Sequence, residues 1–188
     1  MIMASKDYAL VQIAFYAALI AVLGQFPPFA IPFLAGVPIT AQTLGVMLAG
    51  VMLGSVRGGL SMLLFLFVVA LGAPLLAGGR GGLAVFAGPS AGFLIGWPIG
   101  AFVAGFIMER SRNLPVLVSA ALSAAVGGVG IVYLFGIPGL MILADLPLAK
   151  ALAGSAIYLP GDLIKVAITA VVAQTVARGL PRALLSRP

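Results

Sequence analysis

Charged positions punctuate this chain rather than alternating with apolar ones. Uncharged, mainly apolar intervals run from Tyr8 to Val56, Gly58 to Gly79, Gly81 to Met108 and Asn113 to Ala144. Each is as long as, or longer than, the roughly 20 residues that carry a helix across a bilayer. Continuous runs predict helices rather than a transmembrane barrel, because a helix pairs its own backbone N–H and C=O groups whereas barrel strands alternate apolar with polar. Cutting at glycine, proline and charge clusters gives six helices, at residues 8–25, 40–54, 58–73, 90–108, 114–136 and 159–178. The second and third are short, and Gly54-Ser55-Val56-Arg57-Gly58-Gly59 between them reads as a tight turn. The expected fold is an all-α integral membrane protein, a six-transmembrane-helix bundle forming one domain over residues 1–188.

Composition supports this reading and narrows the chemistry. The chain is 63% hydrophobic and 7% charged, against about 25% charged in soluble domains. It contains no cysteine and no histidine, which removes disulfides, thiolate nucleophiles, imidazole bases and most transition-metal sites. Neither an enzyme nor a resident cofactor or metal is expected. A net charge of +6 would suggest nucleic acid in a soluble protein, but these cations sit between apolar runs and act as topology signals. Lys6 followed by the apolar Tyr8–Leu23 stretch has the outline of a signal peptide. It lacks a small-residue cleavage site and more spans follow, so it is expected to persist as the first helix.

With the N-terminus inside, the cytoplasmic ends collect Lys6, Arg57, Arg110, Arg112, Arg178, Arg182 and Arg187, the outer ends only Arg80 and Lys150, and Lys165 lies within the sixth helix. That asymmetry obeys the positive-inside rule and places both termini in the cytoplasm. The outer loops, residues 24–39, 73–89 and 137–158, are long and rich in glycine and proline. Pro27, Pro28, Pro32 and Pro38 stiffen the first, and Phe26, Phe29, Ile31, Phe33 and Leu34 suggest a lid folded over the bundle. Leu140 to Ala153 in the third suggests a short interfacial helix. No internal repeat supports an inverted-repeat carrier.

Tyr158-Leu159-Pro160-Gly161-Asp162-Leu163-Ile164-Lys165 is the most informative segment. Proline suits a first helical turn, whose free N–H groups would face the outer cavity. Asp162 and Lys165 are three apart and share a face. A lysine inside a span costs roughly 2.5–3.5 kcal/mol at the centre. Two readings are open: Lys165 fixes a ligand carboxylate while Asp162 accepts N–H donors, or the two form a self-neutralising structural pair. Ala77-Gly78-Gly79-Arg80-Gly81-Gly82 allows close backbone approach but is no nucleotide loop, since the chain lacks any Gly-Lys pair. Arg80 serves either an anionic ligand or a lipid headgroup. Ser90 is an N-cap candidate, and Phe93 and Trp97 share a face of helix four. Trp97 suits ligand stacking, core packing or an interfacial anchor. On helix one, Ala14 and Ala18, with Ala17 and Ala21 on a neighbouring stripe, fit either a partner subunit or an internal seam.

Three segments taken together, Val37-Pro38-Ile39-Thr40-Ala41-Gln42-Thr43-Leu44-Gly45, the 77–84 loop with Gly88-Pro89-Ser90-Ala91-Gly92, and Tyr158 to Lys165, resemble the BioY family. Its members are biotin-specific substrate-binding S-components of energy-coupling-factor (ECF) transporters. The resemblance implies a multi-pass protein of the bacterial cytoplasmic (inner) membrane, with an outward biotin site roofed by the outer loops. Asp162 and Lys165 match the family's site residues. Thr40, Gln42 and Thr43 correspond to helix-two positions near the site, and Tyr158 opens the last motif. Where the family often has Gly-Pro-Thr-Gly-Gly-Tyr, this chain ends the motif with Phe93 and lacks that hydroxyl. Arg80 is the candidate second cation. Lys165 would take the carboxylate and Asp162 a donor, or both would engage the ureido end. Power would come from a transmembrane coupling protein and ABC-type ATPases, met through Ala14 and Ala18. Rival expectations are an S-component for another vitamin and a proton-coupled carrier using Asp162.

Overall fold

The computed structural model describes residues 2–30 and 37–187, with only the backbone for residues 2–7, 29 and 30. The suggested lid residues Ile31, Pro32, Phe33 and Leu34 lie outside the described residues. Helix α1 (Ile2–Leu23) leads to a two-residue antiparallel pair, β1 (Phe29–Ala30) and β2 (Pro38–Ile39). Then come α2 (Gln42–Leu53), α3 (Ser55–Ala70), α4 (Ala91–Arg110), α5 (Val116–Leu143), the short α6 (Leu148–Ala156) and α7 (Leu159–Gly179). Helices α4, α5 and α7 are long and apolar enough to cross a membrane, and three shorter apolar helices accompany them. Large apolar side chains such as Phe15, Phe67, Leu134, Ile142 and Ile164 are exposed.

Helix α2 is the axis of the bundle. Nine of its 12 residues are buried, and it packs on α1, α3, α4, α5 and α7. Sheathed in protein, it is not required to match bilayer thickness, which explains a length of only about 18 Å at 1.5 Å per residue. The α4–α5 seam depends on close backbone approach. A Cβ at Gly92 would lie 2.9 Å from Gly139 Cα, and one at Gly139 would lie 2.7 Å from Gly92 Cα. Gly100 and Gly127 meet in the same way lower in the seam. Apolar side chains gain little from leaving lipid for another helix, so small residues that bring backbones together supply the adhesion.

The structure revises three boundaries. The expected turn from Gly54 to Gly59 shrinks to Gly54 alone, with φ +88°, and α3 begins at Ser55. Its first N–H groups need partners, and Glu109 of α4 supplies one: Oε1 accepts from Ser55 N at 2.8 Å, and Ser55 Oγ donates to Oε2 at 2.9 Å. Helix five does not stop near residue 136 but runs through Pro138 to Leu143. Its centre, Ala124–Ile131, is wound as a π-helix where Gly127 and Gly128 fit against Ala104 and Met47. The interfacial helix expected around residues 140–153 is α6, starting later because α5 extends to Leu143.

At the end of the bundle holding Gly54, residues 184–187 form a strap. Ser186 Oγ donates to Val51 O at 2.5 Å, and Leu185 N to Met52 O at 2.9 Å. The Arg187 guanidinium donates to the carbonyls of Met108, Ser111 and Leu114. These bonds satisfy orphan carbonyls where α2 and α4 end.

Candidate functional site

The cleft lies at the opposite end, where α2, α4 and α7 begin and α5 passes. Its non-atom space, counting the open mouth, is about 570 Å³. Asp162, Lys165, Arg80, Thr40, Gln42, Thr43, Phe93, Trp97 and Tyr158 all border it. Residues far apart in sequence thus converge on one cavity.

The polar focus is the first turn of α7. Lys165 Nζ donates to Asp162 Oδ1 at 2.9 Å and to Thr43 Oγ1 at 2.7 Å. Thr43 Oγ1 in turn donates to Asp162 Oδ1 at 3.3 Å. Tyr133, from α5, donates to Asp162 Oδ2 at 2.6 Å. An ammonium has three donors and a carboxylate about four acceptor positions. One donor on Lys165 and one acceptor position on Asp162 therefore remain after these bonds. The ion pair is nearly buried, with 13% and 5% of the two side chains exposed, and as a unit it is electrically neutral.

Arg80 stands apart from that pair. It sits on a hairpin closed by paired backbone bonds between Leu76 and Arg80, at 3.0 and 3.2 Å. Gly78 and Gly79 turn this hairpin with φ +80° and +69°, a region that side-chain-bearing residues rarely enter. Arg80 Nε donates to Ala77 O at 3.2 Å and Nη1 to Ser90 Oγ at 3.3 Å. Its partners are neutral, and the Lys165–Asp162 pair is the one salt bridge among the described residues. Desolvation lowers the Arg80 pKa from its ordinary value. Ser90 occupies the N-cap position of α4 without a side-chain capping bond, and its hydroxyl accepts from Arg80.

Between the two polar ends the wall is apolar. Phe93 packs edge-on against Tyr133 and Tyr158, at 6.3 and 6.2 Å between centroids. Leu94, Trp97 and Val132 extend the surface. Trp97 is buried against Phe65, which excludes an interfacial anchor. Its Nε1 has no hydrogen-bond partner among the described residues. Tyr158 Oη donates to Val37 O at 2.8 Å, tying β2's approach to α7. Thr40 Oγ1 accepts from Gln42 N at 3.2 Å and caps the start of α2. The two stripes of α1 separate: Ala17 is buried, whereas Ala14 and Ala18 are exposed.

Tyr133 is the site residue that the motif reading missed. Its signal is a lone phenol between Val132 and Leu134, in an apolar run otherwise interrupted by Ser119 and Ser123.

The model of the BioY family matches residues 2–182. This chain belongs to the BioY family. A biotin transporter BioY of Rhodobacter capsulatus is 51% identical over 184 residues, covering 93% of this chain and 96% of that protein. One from Rhizobium etli is 48% identical over 184 residues, covering 95% and 97%. The fold superimposes on the crystal structure of the S-component for biotin from an ECF-type ABC transporter with a TM-score of 0.88, at 32% identity, covering 96% of this chain and 97% of that one. The chain is therefore an all-helical membrane protein of the S-component fold, related to transport proteins rather than enzymes.

Proposed function

We propose that this protein captures biotin at the outer face of the bacterial cytoplasmic membrane and delivers it as the S-component of an ECF-type transporter. The observation that carries this reading is the division of charge in the cleft: a neutral Asp162–Lys165 pair at one end and, at the other, an Arg80 that has no anionic partner among the described residues. Biotin is divided likewise. Its ureido group is neutral and offers both N–H donors and a C=O acceptor, while its valerate chain ends in a carboxylate. The free acceptor position on Asp162 suits a ureido N–H, and the remaining Lys165 donor suits the ureido oxygen. Arg80 takes the carboxylate, whose charge offsets the desolvation of the guanidinium. Phe93, Leu94, Trp97 and Val132 cover the bicyclic ring and chain. This arrangement favours the second of the two engagements open from sequence, with Asp162 and Lys165 both at the ureido end.

In this reading residues 1–188 form one domain crossing the membrane six times, through α1 to α5 and α7. The basic ends carrying Arg57, Arg110 and Arg178 lie in the cytoplasm with both termini, and the cleft opens outward. The protein needs no cofactor or metal and hydrolyses no nucleotide. Membrane lipid surrounds it, and a transmembrane coupling protein with ABC-type ATPases supplies the driving force, docking on the exposed Ala14 and Ala18 face of α1.

The test is biotin binding to detergent-purified protein by calorimetry, with riboflavin and thiamin as competitors. Selective binding of biotin is the expected result. A monodisperse protein that ignores biotin would end this proposal.

A further inference from the structure

Gln42 borders the cleft, yet its side chain is committed elsewhere. Both N–H donors of its amide are engaged, by Ile20 O at the end of α1 (3.4 Å) and by Leu75 O (3.2 Å). Its Oε1 accepts from Ala77 N at 3.0 Å. The residue is 1% exposed. An amide has two donors and one acceptor oxygen, so Gln42 has no donor left for a ligand.

The three bonded groups identify its task. Leu75 and Ala77 flank Leu76, where the Arg80 hairpin closes, and Ala77 O is the acceptor of Arg80 Nε. One residue further along α2, Thr43 holds Lys165. A single turn of α2 is therefore bonded to both polar ends of the cleft. Gly24 leaves room for this arrangement: a Cβ there would press on the Leu75 carbonyl and lie 2.8 Å from Gln42 Nε2.

We propose that Gln42 is a positioning residue: its amide holds the Leu76–Arg80 hairpin in register with α2 and so sets where the Arg80 guanidinium stands relative to the Asp162–Lys165 pair. This rests on the reading that Arg80 takes the ligand carboxylate. The residue acts through Arg80, so its loss should be felt by the carboxylate more than by the rest of the ligand.

The experiment compares the dissociation constants of biotin and its neutral carboxamide for wild type, Arg80→Met, Gln42→Met and the double variant. The readout is the preference for carboxylate over carboxamide, which general loosening of the fold would leave in place. Arg80→Met should lower that preference about tenfold, equivalent to ~1.4 kcal/mol. Gln42→Met should lower it by a similar factor, and the double variant no further than Arg80→Met alone. If Arg80→Met lowers the preference and Gln42→Met does not, the positioning role is overturned while the carboxylate assignment stands. If Arg80→Met leaves the preference unchanged, the carboxylate assignment falls and this proposal with it. Should Gln42→Met fail to fold, Gln42→Asn keeps a polar amide one methylene too short to reach Leu75 and Ala77 and is judged by the same criterion.

Discussion

Tyr133 and Asp162 are joined by a 2.6 Å hydrogen bond from α5 to the first turn of α7. The bond occupies Oδ2 while Lys165 and Thr43 occupy Oδ1, so the carboxylate is held from both sides before any ligand arrives. Tyr133→Phe keeps the ring against Phe93 and deletes the hydroxyl alone. Biotin affinity should fall about tenfold, matching the ~1.4 kcal/mol of one charge-assisted bond. Calorimetry on the purified variant checks this, and an unchanged dissociation constant would show that the phenol plays no part in orienting Asp162.

Lys165→Ala removes the donor assigned to the ureido oxygen. Biotin binding should weaken by about tenfold or more, some 1.4 kcal/mol, in a protein that still elutes as a monodisperse species. The carboxylate-to-carboxamide preference should change little, because Arg80 is untouched. A selective loss of carboxylate recognition would return Lys165 to the role of carboxylate partner.

Stability should respond to the same pair asymmetrically. Asp162→Asn leaves the Lys165 ammonium, only 13% exposed, without an anion, and breaking a buried pair on one side costs about 3 kcal/mol. Adding Lys165→Met to that variant removes the orphaned charge and should recover most of the loss. Thermal unfolding in detergent distinguishes the two, and a double variant no more stable than Asp162→Asn would contradict the desolvation argument.

Glu109→Gln addresses the other end of the molecule. It weakens the charged cap on Ser55 and should cost about 1 kcal/mol of stability. Biotin affinity should be unchanged, since Glu109 is remote from the cleft. A loss of binding comparable to that of Tyr133→Phe would reveal coupling between the two ends.

Much of this architecture was legible in the sequence because its periodicity is coarse. Apolar runs from Gly81 to Met108 and from Asn113 to Ala144 announce helices whatever they pack against. Asp162 and Lys165 stand out because charges within a span demand a reason. The start of α3 is not legible locally because its cap comes from Glu109, 54 residues along the chain, and no local pattern reports a distant carboxylate. Pro138 reads as a breaker and ends helix five early in the sequence, although the neighbouring helices carry it on to Leu143. Tyr133 does not stand out for a similar reason: in an apolar run a phenol reads as apolar, and only the fold brings its hydroxyl to Asp162. The motif puts Gln42 among the ligand-binding candidates, and only the path of the 73–82 loop shows that its amide points to Leu75 and Ala77.

The glycine seam between α4 and α5 has a consequence for how such a sequence can drift. Exposed apolar positions, such as Phe67 or Ile142, can exchange one large apolar residue for another with little change to contacts inside the protein. Gly92 and Gly139 have no such latitude, because the next larger side chain already collides with the opposing backbone. Random substitution would therefore spare the bulkiest outward-facing residues and remove variants at the smallest buried ones. In this protein a position's resistance to change should track the closeness of the nearest backbone rather than the size of the residue that occupies it.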